Sequence, residues 1–393
     1  MTTDAVFQIE DTFQIPTYTK LPIALERGEG RHVWDTDGKC YLDFYGGHCV
    51  TILGHCPPPV VDAVKKQVET LIFYSNVAYS PVRAQAAQRI TALAPEGLQH
   101  VFFCNSGTEA NETAMKLART VTGKPHIIAM ETGFHGRTLG SLAATAKEAY
   151  RKPYQQVLAD VSFVPLGDAD ALAKALASRD DVAGVIMEPI QSMSGMYEAD
   201  DAYYRTAREL CDQHGALLIF DEVQTGVGRT GTFSISQQFG MTPDLVTMAK
   251  SLASGIPIGA VLTTDAVAAT VKPADQGTTF GGGMIAMAAL DATLSTIAGD
   301  GLMERATAIH AQIREALTPH TVAIRGRGCL IGLEFDRPVQ PIVAALREHG
   351  VLTGGTGNPH VMRLMPPVNT TDAEIQEFLT AMHAVLEAEA VAT

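Results

Sequence analysis

Leu217-Leu-Ile-Phe-Asp221 is a run of four apolar residues that ends on an acid, and this pattern decides the fold. Gly184-Val-Ile-Met-Glu188 precedes it and Leu245-Val-Thr-Met-Ala-Lys250 follows it, each again ending on an ionisable residue. Such unalternating runs are typical of strands buried on both faces of a parallel sheet. Taken singly, each terminal residue has an ordinary structural explanation as a helix cap or a solvated loop charge. Together they predict one crevice, because ligands of open α/β sheets bind beyond the carboxyl ends of the strands.

Short apolar runs alternate with helical segments on both sides of this stretch. Further strands are predicted at 101–103, 127–130, 162–164 and 259–263, and helices at 60–71, 83–93, 108–120, 169–177 and 203–214. Strands separated by helices indicate an α/β domain whose mostly parallel sheet is covered by helices on both faces.

The two ends of the chain have a different pattern. A hairpin is predicted within 30–46, and a long helical stretch runs from about 285 to Leu317. Strands at 322–325, 330–335 and 361–364 and a closing helix at 371–389 follow. We therefore predict a large domain at 59–285 and a smaller α+β domain built from 1–58 and 286–393.

The composition and net charge of the chain limit the kinds of molecule that it is expected to bind. The formal charge of −14 over 393 residues argues against nucleic acid and against an anionic membrane surface. No apolar run reaches the roughly 18 residues of a membrane span, and the acidic start does not fit a signal peptide. Six scattered cysteines favour reduced thiols, and the spacing of His48-Cys49 and His55-Cys56 matches no common zinc signature. We expect a cytoplasmic enzyme that binds no metal and acts on small molecules.

A lysine and an aspartate in one crevice suit pyridoxal 5'-phosphate (PLP). The lysine amine condenses with the cofactor aldehyde, and the aspartate keeps the pyridine nitrogen protonated so that the ring accepts electrons. The released lysine then moves the proton of the substrate Cα. Cys104-Asn-Ser-Gly-Thr-Glu-Ala110 offers a phosphate cup between a strand and a helix, although an ordinary capped helix has the same pattern.

Gly226-Val-Gly-Arg-Thr-Gly231 fits the dinucleotide fingerprint G-x-G-x-x-G and is a competing signal. Asp221–Thr225 separates it from its strand, however, and no amphipathic helix opens at Gly231. The motif by itself is weak evidence for a nucleotide.

The chain resembles class III, fold type I aminotransferases over nearly its whole length. The resemblance rests on motifs that occur in family order: Asn105–Asn111, Gly133–Thr138, Glu188–Gln191, Phe220–Gly231, Thr278–Gly282 and Arg325–Gly332. It also accounts for the apparent dinucleotide fingerprint.

The resemblance implies a role for particular residues. Lys250 carries the aldimine, Asp221 pairs with the pyridine nitrogen, and Phe134 stacks on the ring. The remaining implied cofactor-binding residues are Ser106, Gly107, Thr108, Glu188, Val223, Gln224 and Thr279. Thr279 is expected to reach the phosphate of the partner subunit, which implies a homodimer with shared active sites.

Within the class, the likeness is to acetylornithine and ornithine aminotransferases and their lysine-biosynthesis relatives. Arg137 and Arg363 are implied to bind substrate carboxylates, with Thr278 as a further substrate-binding residue, because a guanidinium bonds a carboxylate bidentately. The alternative interpretation of Arg137 is an ordinary surface arginine in a Gly-rich turn. The alternative interpretation of Arg363 is an exposed charge at the end of a strand. The predicted reaction moves an amino group from an ω-amino donor to 2-oxoglutarate through pyridoxamine phosphate.

One departure concerns Glu188-Pro-Ile-Gln-Ser-Met-Ser-Gly195. The family commonly has a glutamate where this chain has Met193, and in ornithine-type enzymes that glutamate masks the arginine matching Arg363. A thioether forms no ion pair, so the sequence predicts an unmasked Arg363 and an altered donor preference, unless Glu198 substitutes.

Two rival functions stay open at this point. An amine–pyruvate transaminase of the same class is disfavoured by Arg137, because a simple amine has no second carboxylate. A catalytically silent PLP-fold binding protein is disfavoured because both Asp221 and Lys250 are present.

Overall fold

The computed structural model describes residues 1–392. In chain order its strands are β1 (Leu25–Glu29), β2 (His32–Asp35), β3 (Cys40–Asp43), β4 (His100–Cys104), β5 (His126–Met130), β6 (Val161–Val164), β7 (Val182–Met187), β8 (Ile190–Gln191), β9 (Tyr197–Glu198), β10 (Leu217–Asp221), β11 (Leu245–Met248), β12 (Gly259–Thr263), β13 (Ala323–Arg327), β14 (Leu330–Glu334), β15 (Val351–Leu352), β16 (Gly354–Gly355) and β17 (Val361–Leu364).

The helices lie between and beyond these strands. They are α1 (Thr3–Phe13), α2 (Gly46–Cys49), α3 (Pro58–Thr70), α4 (Pro81–Leu93), α5 (Gly107–Thr122), α6 (Leu139–Ala143), α7 (Glu148–Arg151), α8 (Ala169–Ala177), α9 (Asp201–His214), α10 (Ser236–Phe239), α11 (Asp265–Ala268), α12 (Met284–Gly299), α13 (Leu302–Leu317), α14 (Gln340–Glu348) and α15 (Asp372–Ala392). Within residues 1–392, none of the helices has both the length and the apolar content to cross a membrane.

The central sheet has the strand order β4-β12-β11-β10-β7-β5-β6. β12 runs antiparallel to both of its neighbours, and the other pairs in the sheet are parallel. The connection of residues 249–258 between β11 and β12 is too short for a helical crossover, so the chain returns antiparallel. The prediction of a mostly parallel sheet within an α/β fold is confirmed.

Helices cover both faces of this sheet. Ile219 of β10 packs with Ala110 and Ala114 of α5, whereas Leu218 and Phe220 belong to the core on the opposite face. Successive strand residues point to opposite faces, which is why both faces of an unalternating apolar run are buried. The carboxyl ends of β7, β10 and β11 therefore meet at one edge of a rigid, double-sided core.

The predicted helices and strands are present, with ends shifted by a few residues. The stretch from 285 to 317 differs, because it forms two helices, α12 and α13, instead of one. They are separated at Asp300 and Gly301, and Gly301 has a left-handed φ of +63°. Helix α1, strand β1, the short pair β8–β9 and strand β16 have no counterpart among the predicted elements.

Strand β15 joins the two ends of the chain. It pairs parallel with β3, so the predicted hairpin of β2 and β3 shares a sheet of order β1-β2-β3-β15 with a late segment. A second sheet has the order β13-β14-β17-β16. This pairing agrees with a small unit built from both termini; the limits at residues 58 and 285 stay a prediction.

Candidate active site

A cavity of about 480 Å³ lies at the carboxyl edge of the central sheet. Glu188, Asp221 and Lys250 all line it, so the structure brings together the three strand-end residues singled out in the sequence. Ser106, Gly107, Thr108, Phe134, Arg137, Val223 and Gln224 line the same cavity.

Asp221 is held by three donors. Its Oδ2 accepts hydrogen bonds from Asn111 Nδ2 at 2.7 Å and from His135 Nδ1 at 2.8 Å, and its Oδ1 accepts one from the Val223 amide at 3.1 Å. Thr247 Oγ1 donates to Asn111 Oδ1 at 2.7 Å, which orients the amide. The carboxylate is buried, and this network fixes its plane toward the cavity.

His135 supports Asp221 from a fully buried position. The ring presents Nδ1 to the carboxylate, so Nδ1 carries the proton. Among the described residues its Nε2 has no hydrogen-bond partner. The imidazole therefore acts as a hydrogen-bond donor to the Asp221 carboxylate.

Lys250 begins a 3₁₀ turn directly after β11 and has a left-handed φ of +43°. Burial lowers the pKa of its ammonium, against the opposing attraction of the Cys49 thiol group, Asp221 and Glu188. Removal of water disfavours the charged form, so more of the amine is neutral and nucleophilic.

Glu188 accepts a hydrogen bond at Oε1 from the backbone amide of Phe134, at 2.7 Å. Burial, and secondly the charge of Asp221, raise the pKa of Glu188 to about 7. Through its hydrogen bond to the Phe134 amide, Glu188 fixes the loop that carries Phe134 on the wall of the cavity.

The start of α5 forms a cradle of backbone amides. Ser106 caps the helix, since its Oγ accepts from the Glu109 amide at 3.3 Å, and Glu109 Oε2 accepts in return from the Asn105 amide at 2.5 Å. Amides of a first helical turn have no intrahelical acceptor and favour an anion. A Cβ at Gly107 would lie 2.9 Å from the methyl groups of Val223, so glycine lets the loop pack closely here.

A second cavity of about 510 Å³ shares Phe134 with the first and contains Arg363. Arg363 Nε donates to the carbonyl of Gly355 at 2.8 Å, Nη1 lies 3.2 Å from Met193 Sδ, and Nη2 donates to Tyr45 Oη at 3.2 Å. Burial lowers the pKa of this guanidinium. In the part of the chain that the structure describes, no carboxylate lies within ion-pair distance of it.

Glu198 does not take the place of the missing glutamate. It is bound to Arg327, with Arg327 Nε 2.8 Å from Glu198 Oε2. Met193 therefore leaves Arg363 without an acidic partner, as the departure in the sequence predicts.

Arg137 is exposed at the rim of the first cavity. Its guanidinium carbon lies 3.4 Å from the centre of the Tyr150 ring. The aromatic face holds the side chain without neutralising it, which leaves its hydrogen-bond donors available to a carboxylate.

Thr278 and Thr279 lie outside the Lys250 cavity of their own chain. They line a separate cavity of about 500 Å³ on the far side of Asn105, whose Nδ2 donates to Thr278 Oγ1 at 3.0 Å. One chain therefore does not bring Thr279 to its own Lys250.

The loop 226–231 serves a structural purpose. Gly228 and Gly231 have φ of +87° and +99°, and no helix starts until Ser236. Between them, the fully buried Arg229 donates through Nη1 to the carbonyls of Met365 and Pro366 and through Nη2 to Ser251 Oγ. The G-x-G-x-x-G pattern thus places an arginine and does not open a nucleotide-binding helix.

The histidines of the segment 48–56 have other partners. His55 Nε2 lies 2.8 Å from Asp43 Oδ2, and His48 Nδ1 is hydrogen-bonded to Tyr45 Oη. Within residues 1–392 we find no group of three or more His, Cys, Asp or Glu placed to hold a metal.

Sequence reasoning missed three residues of the site: Asn111, His135 and Tyr45. Asn111 and His135 stand inside the motifs quoted above, so position in the motif was an available signal. Tyr45 had no such signal, because its contact with Arg363 joins residues 318 positions apart.

Comparisons with known proteins agree over the full chain. The model of the family described as aminotransferase class-III matches residues 13–386. An acetylornithine aminotransferase of Methanopyrus kandleri is 41% identical over 387 residues, covering 97% of this chain and 98% of that protein. A crystal structure of the ornithine aminotransferase of Toxoplasma gondii superposes with a TM-score of 0.94 at 29% identity, covering 100% of this chain and 97% of that one. A second structure of that enzyme, crystallised with oxidised glutathione, has PLP at partial occupancy in its active site. It superposes with a TM-score of 0.92 at 30% identity, covering 98% of this chain and 95% of that one.

Proposed function

This chain belongs to the class III aminotransferases, and we propose that it transfers the terminal amino group of an acylated ornithine or lysine to 2-oxoglutarate. The observation that carries the proposal is the meeting of a pKa-lowered Lys250, a triply hydrogen-bonded Asp221 and two arginines without acidic partners around adjoining cavities.

The chemistry of the residues that line the cavity fits PLP. The amides at the start of α5 suit the phosphate, Phe134 offers a ring to stack upon, and Asp221 offers a carboxylate to the pyridine nitrogen. The buried Gln224 Oε1 lines this cavity and has no hydrogen-bond partner among the described residues, as expected of a group that awaits a ligand hydroxyl. PLP supplies an aldehyde and an electron-withdrawing ring that stabilises negative charge at the substrate carbon bearing the reacting amino group.

We assign the proton-moving role to Lys250. Its neutral amine, favoured by burial, would accept the proton from the donor carbon that bears the amino group and pass it to the former aldehyde carbon of the cofactor. Asp221, held by Asn111 and His135, keeps one orientation throughout. Glu188 holds the Phe134 loop in place and takes no proton from substrate in this scheme.

The two arginines select substrates with carboxylates. We assign the carboxylate of the ω-amino donor to Arg137 at the rim, and a carboxylate of 2-oxoglutarate or glutamate to the buried Arg363. Because Met193 does not neutralise Arg363, we expect glutamate and 2-oxoglutarate to bind well and simple amines poorly.

We also propose a homodimer in which Thr279 of one subunit completes the phosphate site of the other. Large apolar side chains are exposed in the region that would carry this contact: Leu71, Ile72, Tyr74, Val77, Tyr79 and Phe280. Exposed apolar side chains grouped in this way are typical of a subunit interface. A cytoplasmic location stays a prediction from the sequence.

Spectroscopy of the purified protein tests the function. The PLP-loaded protein should be yellow, and Lys250→Ala should lose that absorbance. Acetylornithine, acetyl-lysine or ornithine should bleach the wild type, and 2-oxoglutarate should restore the colour. If PLP binds and no amino donor bleaches it, the protein is a silent binding protein; if only simple amines and pyruvate work, it is an amine–pyruvate transaminase.

A further inference from the structure

Tyr45 links Arg363 to His48 through its hydroxyl group. Arg363 Nη2 donates to Tyr45 Oη at 3.2 Å, and the same oxygen is hydrogen-bonded to His48 Nδ1. A guanidinium has donors only, so Tyr45 Oη is the acceptor in the first bond, and its single proton goes to His48 Nδ1 in the second. The three side chains therefore form a chain of hydrogen bonds that runs from a guanidinium to an imidazole.

Tyr45 and His48 are both uncharged. Burial, and secondly the charges of Arg363 and Lys250, lower the pKa of His48 to about 4, so its imidazole is neutral at physiological pH. Burial also raises the pKa of the Tyr45 phenol, against the opposing charge of Arg363. The phenol therefore keeps its proton and shares it with His48. Arg363 has a hydrogen-bonding partner here that does not cancel its charge.

The backbone fixes the position of this pair. The Asp43 carboxylate accepts hydrogen bonds from the three consecutive amides of residues 45–47, at 3.0, 2.9 and 2.8 Å. His48 has a left-handed φ of +69°, which is uncommon for a residue other than glycine. Strain of this kind persists only where surrounding contacts hold it, and it is concentrated at functional sites.

The Tyr45 ring packs against the strand pair that carries Arg363. A Cβ at Gly354 would lie 2.1 Å from Cε2 of the ring, so glycine is needed for this approach. Gly354 is the partner of Arg363 in the pairing of β16 with β17, and Arg363 lines the 510 Å³ cavity. Tyr45 is therefore held against the guanidinium at the wall of that cavity.

We propose that Tyr45 is a specificity-determining residue whose hydroxyl binds the same substrate carboxylate as Arg363. An oxygen that accepts from Arg363 Nη2 lies within reach of the hydroxyl, because Nη2 and Oη are 3.2 Å apart. With glutamate or 2-oxoglutarate bound, the O–H turns from His48 to the carboxylate, while Oη goes on accepting from Arg363. With an ω-amino donor bound, no carboxylate lies at Arg363 and the O–H returns to His48, which is thus a positioning residue. This inference rests on the proposed function and adds a second group that binds its acceptor.

Calorimetric titration of the PLP form with glutarate measures this contact, because glutarate has the two carboxylates of 2-oxoglutarate and no group that reacts. Tyr45→Phe removes only the hydroxyl and keeps the ring against Gly354. We expect glutarate to bind about tenfold more weakly, as for the loss of one hydrogen bond to a charged group. For glutamate, KM should rise by a similar factor while kcat stays near that of the wild type. The half-reaction with N-acetylornithine should keep its wild-type rate, because that donor brings no carboxylate to Arg363.

His48→Phe tests the positioning role, because it removes the acceptor and keeps a flat ring. The O–H then has no resting partner, so glutarate should bind about threefold more tightly than in the wild type. In the Tyr45→Phe background the same substitution should have no effect on glutarate, since no hydroxyl is left to position.

Tyr41→Phe is the matched control, since Tyr41 of β3 also has a hydrogen-bonded hydroxyl, which donates to Asp35 Oδ2 at 2.8 Å. It should leave glutarate binding unchanged. Wild-type affinity for glutarate in Tyr45→Phe overturns the inference, and so do equal losses toward glutamate and N-acetylornithine, which would indicate a purely structural role. Weaker glutarate binding on His48→Phe in both backgrounds overturns the role of His48. If no amino donor bleaches the wild type, the proposed function itself fails, whereas the glutarate titrations still decide whether Tyr45 binds a carboxylate.

Discussion

Arg363 and Met193 meet at 3.2 Å between the guanidinium Nη1 and the thioether sulfur, although 170 positions separate them in the chain. Sulfur in a thioether is a weak acceptor and carries no charge, so the contact packs the guanidinium without neutralising it. The positive charge of Arg363 is therefore left without an acidic partner among the described residues, and under the proposed function it is available to a substrate carboxylate.

Replacement of Met193 by glutamate should mask that charge. In Met193→Glu we expect kcat/KM for glutamate to fall about tenfold, because the new carboxylate competes with the substrate for Arg363, while ω-amino donors keep or gain activity. Half-reaction rates with glutamate and with an acylated ornithine check this. Met193→Leu, which adds no charge, should retain the wild-type ratio; equal profiles for the glutamate and leucine variants would contradict the argument.

His135 should influence the cofactor through Asp221. His135→Phe removes the donor at 2.8 Å and leaves Asp221 with Asn111 and the Val223 amide. One lost hydrogen bond to a buried carboxylate corresponds to roughly tenfold weaker PLP binding. Equilibrium titration of the apoprotein with PLP measures the affinity, and a pH titration of the visible absorbance reports whether the pyridine nitrogen stays protonated. His135→Asn, which keeps a donor, should recover part of the loss, and an unaltered affinity in His135→Phe would show that Asn111 alone suffices.

Arg229 should hold the Lys250 turn against the end of β17. Its Nη1 donates to the Met365 carbonyl at 3.2 Å and its Nη2 to Ser251 Oγ at 3.4 Å, next to Lys250. Arg229→Met leaves buried carbonyls without donors, and we expect a loss of about 2–4 kcal/mol in the free energy of unfolding and a raised KM for 2-oxoglutarate. Urea unfolding and steady-state kinetics measure the two effects. Arg229→Lys should restore part of both, and a Met variant of wild-type stability and KM would exclude this role.

Glu222 should make stability depend on pH. Burial raises its pKa from 4.5 to about 7, despite hydrogen bonds from Ser234 and from the Ile235 amide. The folded state thus holds a proton that the unfolded state releases, and this contribution is full below about 4.5 and is lost as the pH rises through about 7. Its size is on the order of 3 kcal/mol.

Unfolding free energies measured at about pH 5 and about pH 8 test this dependence. Glu222→Gln, which stays neutral, should flatten the decrease seen in the wild type. Glu209→Gln, on the exposed face of α9, is the control and should keep the wild-type slope. A Glu222→Gln variant with the full wild-type slope would assign the pH dependence to another group, such as Glu188.

Much of the site follows from local sequence. Glu188, Asp221 and Lys250 end or follow apolar runs, and the register of β10 against β11 puts Asp221 opposite Thr247, three residues before Lys250. Strand-end positions in a parallel sheet converge whatever the details of the packing, so the crevice was predictable. The cradle at Ser106 and Gly107 was predictable for the same reason, because a cap and the helix that it starts are contiguous.

The sequence by itself determined the class of fold, the strand-end crevice and the residue types for lysine-based cofactor chemistry, since these depend on neighbours within one or two elements. Tertiary structure alone decided the partners of those residues. It paired Glu198 with Arg327, put Met193 and Tyr45 on Arg363, and placed Lys147 beside Arg137 on one ring. Such contacts depend on how separate loops and sheets pack, and the charge left uncompensated there is fixed only when the whole chain is folded.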